Sequence, residues 1–220
     1  MVSIGGGAAE IVAFAAFMRG LQPDIPGAIT LIDSGPWGDV VSKLNDTLTN
    51  PLPMSKYASE AAKASNAAFI PSSQLTTSFV YKDILAMDRD ELGRHLGTEP
   101  LVVTLLFTLN ELYTSAGIGK TTTFLLILTS LIPLGSLLLV VDSPGSFSEA
   151  AVGKEQKKYP MQWLLDHTLL KAERPPDGCK WDKLESHDSV WFRHAKSSQY
   201  PIPLEDMRYQ MHLYRATSPD

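Results

Sequence analysis

Val2-Ser3-Ile4-Gly5-Gly6-Gly7-Ala8-Ala9-Glu10-Ile11-Val12-Ala13-Phe14-Ala15-Ala16-Phe17 opens the chain and decides its fold. Val2-Ser3-Ile4 is a short strand, three glycines turn the chain, and Ala8 to Phe17 is an apolar helix. A strand, a glycine turn and a helix N-terminus bring bare backbone N–H groups up to a nucleotide-like ligand. Outward from this unit the order is strand 2–5, helix 8–19, strand 28–33, helix 37–48 and a polar, alanine-rich stretch 54–75. Then follow strand 76–82, a short helix 88–96, strand 101–108, helix 118–132, strand 136–142, helix 160–171, strand 188–194 and strand 207–215. Strands alternating with helices predict parallel pairing through right-handed crossovers. Residues 102–107 and 137–141 are unbroken apolar runs, as in strands covered on both faces. Only a loop through Tyr200-Pro201-Ile202-Pro203 separates the last two strands, which predicts an antiparallel hairpin, and residues 172–186 read as exposed loop. The expected fold class is α/β: a doubly wound, mostly parallel seven-stranded sheet with an antiparallel C-terminal hairpin.

The 220 residues suffice for one domain, and 44% of them are hydrophobic. The net charge of -5 argues against a chain that holds nucleic acid by bulk electrostatics. The charge is uneven. Residues 1–150 carry 8 basic against 14 acidic side chains; residues 151–220 carry 11 against 10, with four of the five histidines. A polyanion would meet the C-terminal third. Cys179 stands alone, so neither an intrachain disulfide nor a cysteine-based zinc site is expected, and no metal site is predicted. The uncharged run between Lys120 and Asp142 is cut by Pro133-Leu134-Gly135. It reads as a buried helix followed by a buried strand, and no membrane association is expected.

In sheets of this kind, ligands lie beyond the carboxyl ends of the strands. Gly5, Gly6 and Gly7 follow the first strand, and the helix start after them favours an anionic group. Asp33 follows the second, 26 residues past Gly7, where a carboxylate suits paired ribose hydroxyls. Asp83 follows the third and suits an adenine amino group. Asn110-Glu111 follows the fourth, and Asp142-Ser143-Pro144-Gly145 the fifth. Each has a plainer reading: a tight glycine turn, or an Asp capping the next helix or turn. Capping does not demand their joint placement after successive strands. A dinucleotide fingerprint needs a third glycine where Glu10 stands, so the pyrophosphate motif is broken. S-adenosylmethionine carries no phosphate and tolerates a looser turn. Gly117-Ile118-Gly119-Lys120-Thr121-Thr122 mimics the end of a P-loop, yet the required earlier glycine is Thr114, and Lys120 is more simply a first-turn helix residue.

Several strings resemble the fungal 25S ribosomal RNA uridine-N3-methyltransferase family. They are Val2-Ser3-Ile4-Gly5-Gly6-Gly7, Phe107-Thr108-Leu109-Asn110-Glu111-Leu112, Val141-Asp142-Ser143-Pro144-Gly145-Ser146, and Tyr159-Pro160-Met161 with Trp163-Leu164-Leu165-Asp166-His167. Trp191-Phe192-Arg193, Met207-Arg208-Tyr209-Gln210 and His212-Leu213-Tyr214-Arg215 join them. The resemblance implies a class I S-adenosylmethionine-dependent fold and methyl transfer to N3 of a uridine in large-subunit rRNA, naked or in a pre-ribosomal particle. The location implied is nucleus, nucleolus or cytoplasm. Gly5, Gly6, Gly7 and Asp33 carry over as cofactor-binding positions, with Asp83 and Asn110 beside them. The acid common two positions before the first glycine is Ser3, so backbone carbonyls near Thr108 to Asn110 are expected to receive the methionine ammonium. The expected unit is one methyltransferase domain over 1–220, and related enzymes carry a further segment before its start.

Uridine N3 bears a proton and must lose it before it can attack a sulfonium methyl, so a general base is needed. Glu111 is the first candidate and Asp142 the second, with Tyr113 orienting the base. N3 lies on the pairing edge, so the base must be unpaired or flipped out. Phe107, Tyr113, Phe147 and Trp163 are candidate stacking walls, each with a core-packing alternative. Residues 143–149 form a candidate loop at the pocket mouth, and Lys154, Lys157 and Lys158 are candidate phosphate contacts or a solvated charge run. A catalytically inactive RNA-binding or ribosome-assembly scaffold is the main alternative; a small-molecule or protein methyltransferase on the same fold is the other.

Overall fold

A computed structural model describes residues 1–21, 25–145, 149–152, 157–171, 178–195 and 201–219. Two compact units divide the chain, Met1–Ile84 and Leu85–Asp220.

In the first unit, β1 (Val2–Ile4) leads through the glycines into α1 (Ala8–Arg19). Next come β2 (Gly27–Asp33), α2 (Gly38–Thr49), the short α3 (Glu60–Ser65) and β3 (Leu75–Tyr81). The three strands are parallel, with Ile4 opposite Ile32 and Asp33 opposite Tyr81. Their carboxyl ends therefore lie side by side. Ile11, Ala15 and Met18 of α1, Ile29 and Leu31 of β2, and Val41 and Leu48 of α2 form the core with Ile70 and Leu75. Each fully buried aliphatic side chain is worth roughly 1.5–3 kcal/mol. The helical spacing of Ile11, Ala15 and Met18 puts all three on one face.

In the second unit, α4 (Arg89–Leu96) precedes β4 (Val102–Leu106), and a short α5 (Leu109–Glu111) runs on into a wider-pitched turn over Leu112–Ala116. Then come α6 (Ile118–Leu131), β5 (Leu137–Asp142), a small antiparallel pair β6 (Glu149–Val152) and β7 (Lys157–Pro160), α7 (Met161–Asp166), β8 (Lys180–Phe192) and β9 (Met207–Thr217). β4 and β5 are parallel; β5 with β9, and β9 with β8, are antiparallel. The class is the expected one: α/β, seven strands, a parallel core and an antiparallel C-terminal hairpin. Lys120 is an exposed residue in the first turn of α6. No helix among the described residues is long and apolar enough to cross a membrane.

The hairpin departs from the sequence reading. β8 begins at Lys180, inside the stretch expected to be loop, and runs for 13 residues. Its side chains are mostly exposed, and charged residues interrupt it throughout Lys180–Asp188, so it lacks a strand-like apolar pattern. Pairing with β9 makes it a strand, and two register shifts, between Lys183 and Glu185 and between His187 and Val190, interrupt its alternation. Its inward anchor is Trp181, whose indole N–H donates to Thr129 Oγ1 of α6 at 3.0 Å.

Candidate functional site

At the first unit's strand ends, each glycine has its own reason. Gly5 takes φ +68°, a left-handed conformation suited to glycine, and its N–H donates to Ile32 O at 2.8 Å. A Cβ on Gly6 would lie 2.3 Å from Ser3 Oγ, so close packing on β1 requires glycine there. A Cβ on Gly7 would meet nothing within 4 Å. The Gly7 N–H donates to Glu10 Oε2 at 2.7 Å. The residue that breaks the dinucleotide fingerprint thus puts a carboxylate at the turn, where it would repel a phosphate.

Asp33 ends β2. Its Oδ1 accepts the Gly35 N–H at 2.5 Å, and its carbonyl accepts the Lys82 N–H at 2.9 Å. This ties the turn after β2 to the chain leaving β3, and exposed Asp83 follows directly. Gly5 to Gly7, Asp33 and Asp83 therefore share one edge of the unit. Trp37 belongs with them: a Cβ on Gly35 would come 2.7 Å from its Nε1 and 3.0 Å from Asp33 Oδ1. The indole is 45% exposed. The sequence reading passed over Trp37, although an aromatic just beyond Ser34-Gly35-Pro36 at a strand end was a usable signal.

In the second unit, Asp142 closes β5 and is 3% exposed. Its Oδ2 accepts the Asn110 N–H at 3.0 Å and its Oδ1 the Ser143 N–H at 2.8 Å. Burial raises its pKa, the two N–H groups counteract this, and the Glu111 charge adds to the rise. Asp142 thereby brings Asn110 and Glu111 to the end of β5. Glu111 is exposed, and its carboxylate makes no hydrogen bond among the described residues. Phe107, just past β4, has φ +57° and is 42% exposed. Its N–H donates to Val141 O at 2.7 Å. Tyr113 is buried, and burial pushes its phenol well above the usual range, with Thr168 acting the other way. It is a core aromatic of this unit and not an open stacking wall. Trp163 is exposed at one edge but packed between Tyr159 and His167, at centroid distances of 4.6 and 5.2 Å. Phe147 and Lys154, like the side chains of Lys157 and Lys158, lie outside the described residues.

A family described as SAM-dependent methyltransferase matches residues 1–215. The chain belongs to that family. This chain is also 32% identical over 189 residues to the 25S rRNA (uridine(2843)-N(3))-methyltransferase of Saccharomyces cerevisiae, covering 84% of this chain and 47% of that protein. It thus spans about half the length of this curated relative. A SAM-dependent methyltransferase of Methanosarcina mazei has the same fold, with TM-score 0.51, 8% identity, and coverage of 99% of this chain and 92% of that one. A structure concerned with conversion of a disulfide into a thioacetal in echinomycin biosynthesis gives 0.50 and 13%, covering 98% and 74%.

S-adenosylmethionine is this family's cofactor, and the first unit's strand ends suit it. Glu10 disfavours a phosphate at the glycine turn and is compatible with a cation. Asp33 has one oxygen on Gly35 and a second for a hydroxyl donor. The space beside Gly7 is open. Among the described residues, no group of three or more His, Cys, Asp or Glu side chains could hold a metal ion.

The second unit also holds a polar chain that the sequence reading missed. Gln210 Nε2 donates to Ser143 O at 2.6 Å, which leaves Oε1 to accept from His212 Nε2 at 3.1 Å. His212 Nδ1 then accepts from Ser186 Oγ at 3.0 Å, and Ser186 Oγ accepts from Gln162 Nε2 at 3.3 Å. Gln210 and His212 are buried and sit two apart on β9, so they share a face. A polar pair at that spacing, followed on the same face by Tyr214 and Ala216, was the available signal.

Proposed function

We propose that this chain transfers a methyl group from S-adenosylmethionine to N3 of a uridine in large-subunit rRNA, naked or within a pre-ribosomal particle. Similarity to the yeast 25S rRNA uridine-N3 enzyme over 84% of the chain carries this reading. The cofactor supplies an electrophilic methyl; the protein must hold it, hold the uridine, exclude water and take one proton. Gly5, Gly6 and Gly7 let the backbone approach, Asp33 receives ribose hydroxyls, and Trp37 offers its exposed face beside that carboxylate. Asp83 completes the proposed cofactor contacts on this edge of the first unit. Glu111 is the general base, because its carboxylate is exposed and makes no hydrogen bond among the described residues. Asp142 is spent on the Asn110 and Ser143 N–H groups and fixes the backbone from which Glu111 projects. Compartments where large-subunit rRNA is assembled, from nucleolus to cytoplasm, are the proposed location.

The test is methyl transfer to purified 25S rRNA from labelled cofactor, with the product nucleoside identified, beside calorimetry with the cofactor alone. N3-methyluridine and measurable heat are expected. Heat with label on protein instead of RNA would make it a methyltransferase of another substrate class. No heat would leave a scaffold.

A further inference from the structure

We propose that Trp191 and Arg208, at the free end of the C-terminal hairpin, form a stacking platform for an unpaired stretch of RNA next to the methylated nucleotide; this rests on the rRNA reading above. The register fixes its place. Asp142, the last residue of β5, lies opposite Gln210, so Met207, Arg208 and Tyr209 continue past the carboxyl end of β5. Arg208 is two residues from Gln210, roughly 7 Å along the strand and on the same face. That face is the one from which Gln210 reaches Ser143 O, beside Asp142. Trp191 lies directly opposite Arg208 on β8 and so shares the face.

The chemistry fits a nucleic acid. Trp191 is 51% exposed, an indole left in water by a unit that buries Trp181. The Arg193 and Arg208 guanidinium carbons lie 5.2 and 5.5 Å from its ring centroid. Arg208 is braced through Nε and Nη2 on Ser189 Oγ, inside the register shift of β8. Arg193 lies 3.6 Å from Asp206, which offsets part of the local charge. Indole and guanidinium planes both stack on bases, and the guanidinium also bonds phosphate. An unpaired segment has open base faces for the indole and phosphates for the two guanidinium groups beside it. A net acidic chain gains in this way a local grip on a polyanion.

The experiment is fluorescence anisotropy of labelled oligouridylate and of a single-stranded 25S rRNA fragment, with the whole chain and with Trp191→Ala, Trp191→Phe and Arg208→Gln. Thermal melts and cofactor calorimetry run alongside. Trp191→Ala weakens RNA binding about 5- to 150-fold, and Trp191→Phe retains most of it. Arg208→Gln, which leaves the indole in place, weakens binding and lowers the salt slope by about 0.7. Cofactor affinity is unchanged throughout. Unaltered RNA affinity in both Trp191→Ala and Arg208→Gln overturns the platform while leaving rRNA methylation standing. A wild-type chain that binds cofactor but no RNA overturns both.

Discussion

His212 Nε2 lies 3.1 Å from Gln210 Oε1, and this contact places a proton on Nε2. The Gln210 amide nitrogen is committed to Ser143 O, so its oxygen faces His212 and must accept. Nε2 therefore carries a proton, and burial, which lowers the pKa of the ring, keeps it neutral near pH 7, so that Nδ1 accepts from Ser186. Burial, then Lys183, pushes its pKa down to about 4; Asp166 and Asp188 oppose this, and His187 adds slightly to it.

A folded pKa below the unfolded value means that the unfolded chain binds more protons between the two. Stability contributed by neutral His212 is complete above its ordinary value of 6.5 and is lost as pH falls toward about 4, at up to about 1.4 kcal/mol per pH unit. Asp142, raised above 3.8, works in the opposite sense just above that pH. Thermal melts between pH 4 and 7 should show a flatter pH dependence in His212→Gln than in the parent chain. Equal slopes would mean that the ring is not held neutral.

Gly6 and Gly7 separate folding from binding. Gly6→Ala forces a methyl against Ser3, at the 2.3 Å noted above, and should cost about 1–3 kcal/mol of stability. Gly7→Val meets no protein atom within 4 Å at its Cβ and should cost only about 1 kcal/mol, as a poorer N-cap of α1, yet lose cofactor binding because the branched side chain fills the ligand's space. Melting curves paired with calorimetry decide. A Gly7→Val chain that binds normally would take the cofactor away from this turn.

The parts legible in the sequence were those with local causes. Val2-Ser3-Ile4 followed by three glycines announces a strand and a turn, and the run over residues 137–141 announces a buried strand. Chemistry that depends on partners far along the chain was not legible. β8 is a strand because β9 pairs with it, and nothing in Lys180 to Ser189 says so without Met207 to Thr217 beside it. Gln210 and His212 lie two apart on β9, but their tie to Ser143 spans 67 residues from Gln210. Glu10 stood out as a broken fingerprint; its bond to the Gly7 N–H turns that misfit into a reason for a phosphate-free ligand.

Asp33 and Glu111 should fail differently. Asp33→Ala removes the acceptor for Gly35 and for a ribose hydroxyl, and should weaken cofactor binding by about 1–3 kcal/mol. Asp33→Asn keeps an oxygen for Gly35 and isolates the second role. Glu111→Gln should leave melting and cofactor affinity unchanged and lower kcat by roughly 10²–10⁴, with the acidic limb of the pH–rate profile altered. Asp142→Asn should instead lower the melting temperature, because an amide cannot accept both the Asn110 and Ser143 N–H groups. A Glu111→Gln enzyme of full activity would pass the base role to another group.

Phe107 holds a left-handed backbone conformation that costs a non-glycine residue about 1–2 kcal/mol. It does so at the carboxyl end of β4, two residues before Leu109 begins the helix bearing Asn110 and Glu111. A half-exposed phenyl returns little packing energy for that cost, which points to use of the ring itself. Phe107→Gly relieves the strain while deleting the ring, so its stability should stay within about 1 kcal/mol of the parent despite the loss of a large apolar side chain. Phe107→Ala retains the strain and deletes the ring, and should be the less stable of the two. If the ring walls the uridine pocket, both variants raise KM for RNA together while cofactor affinity holds. Denaturant melts with initial-rate kinetics on the same preparations measure both effects. Equal stability of the two variants would deny the strain, and an unchanged KM would return Phe107 to a purely structural part.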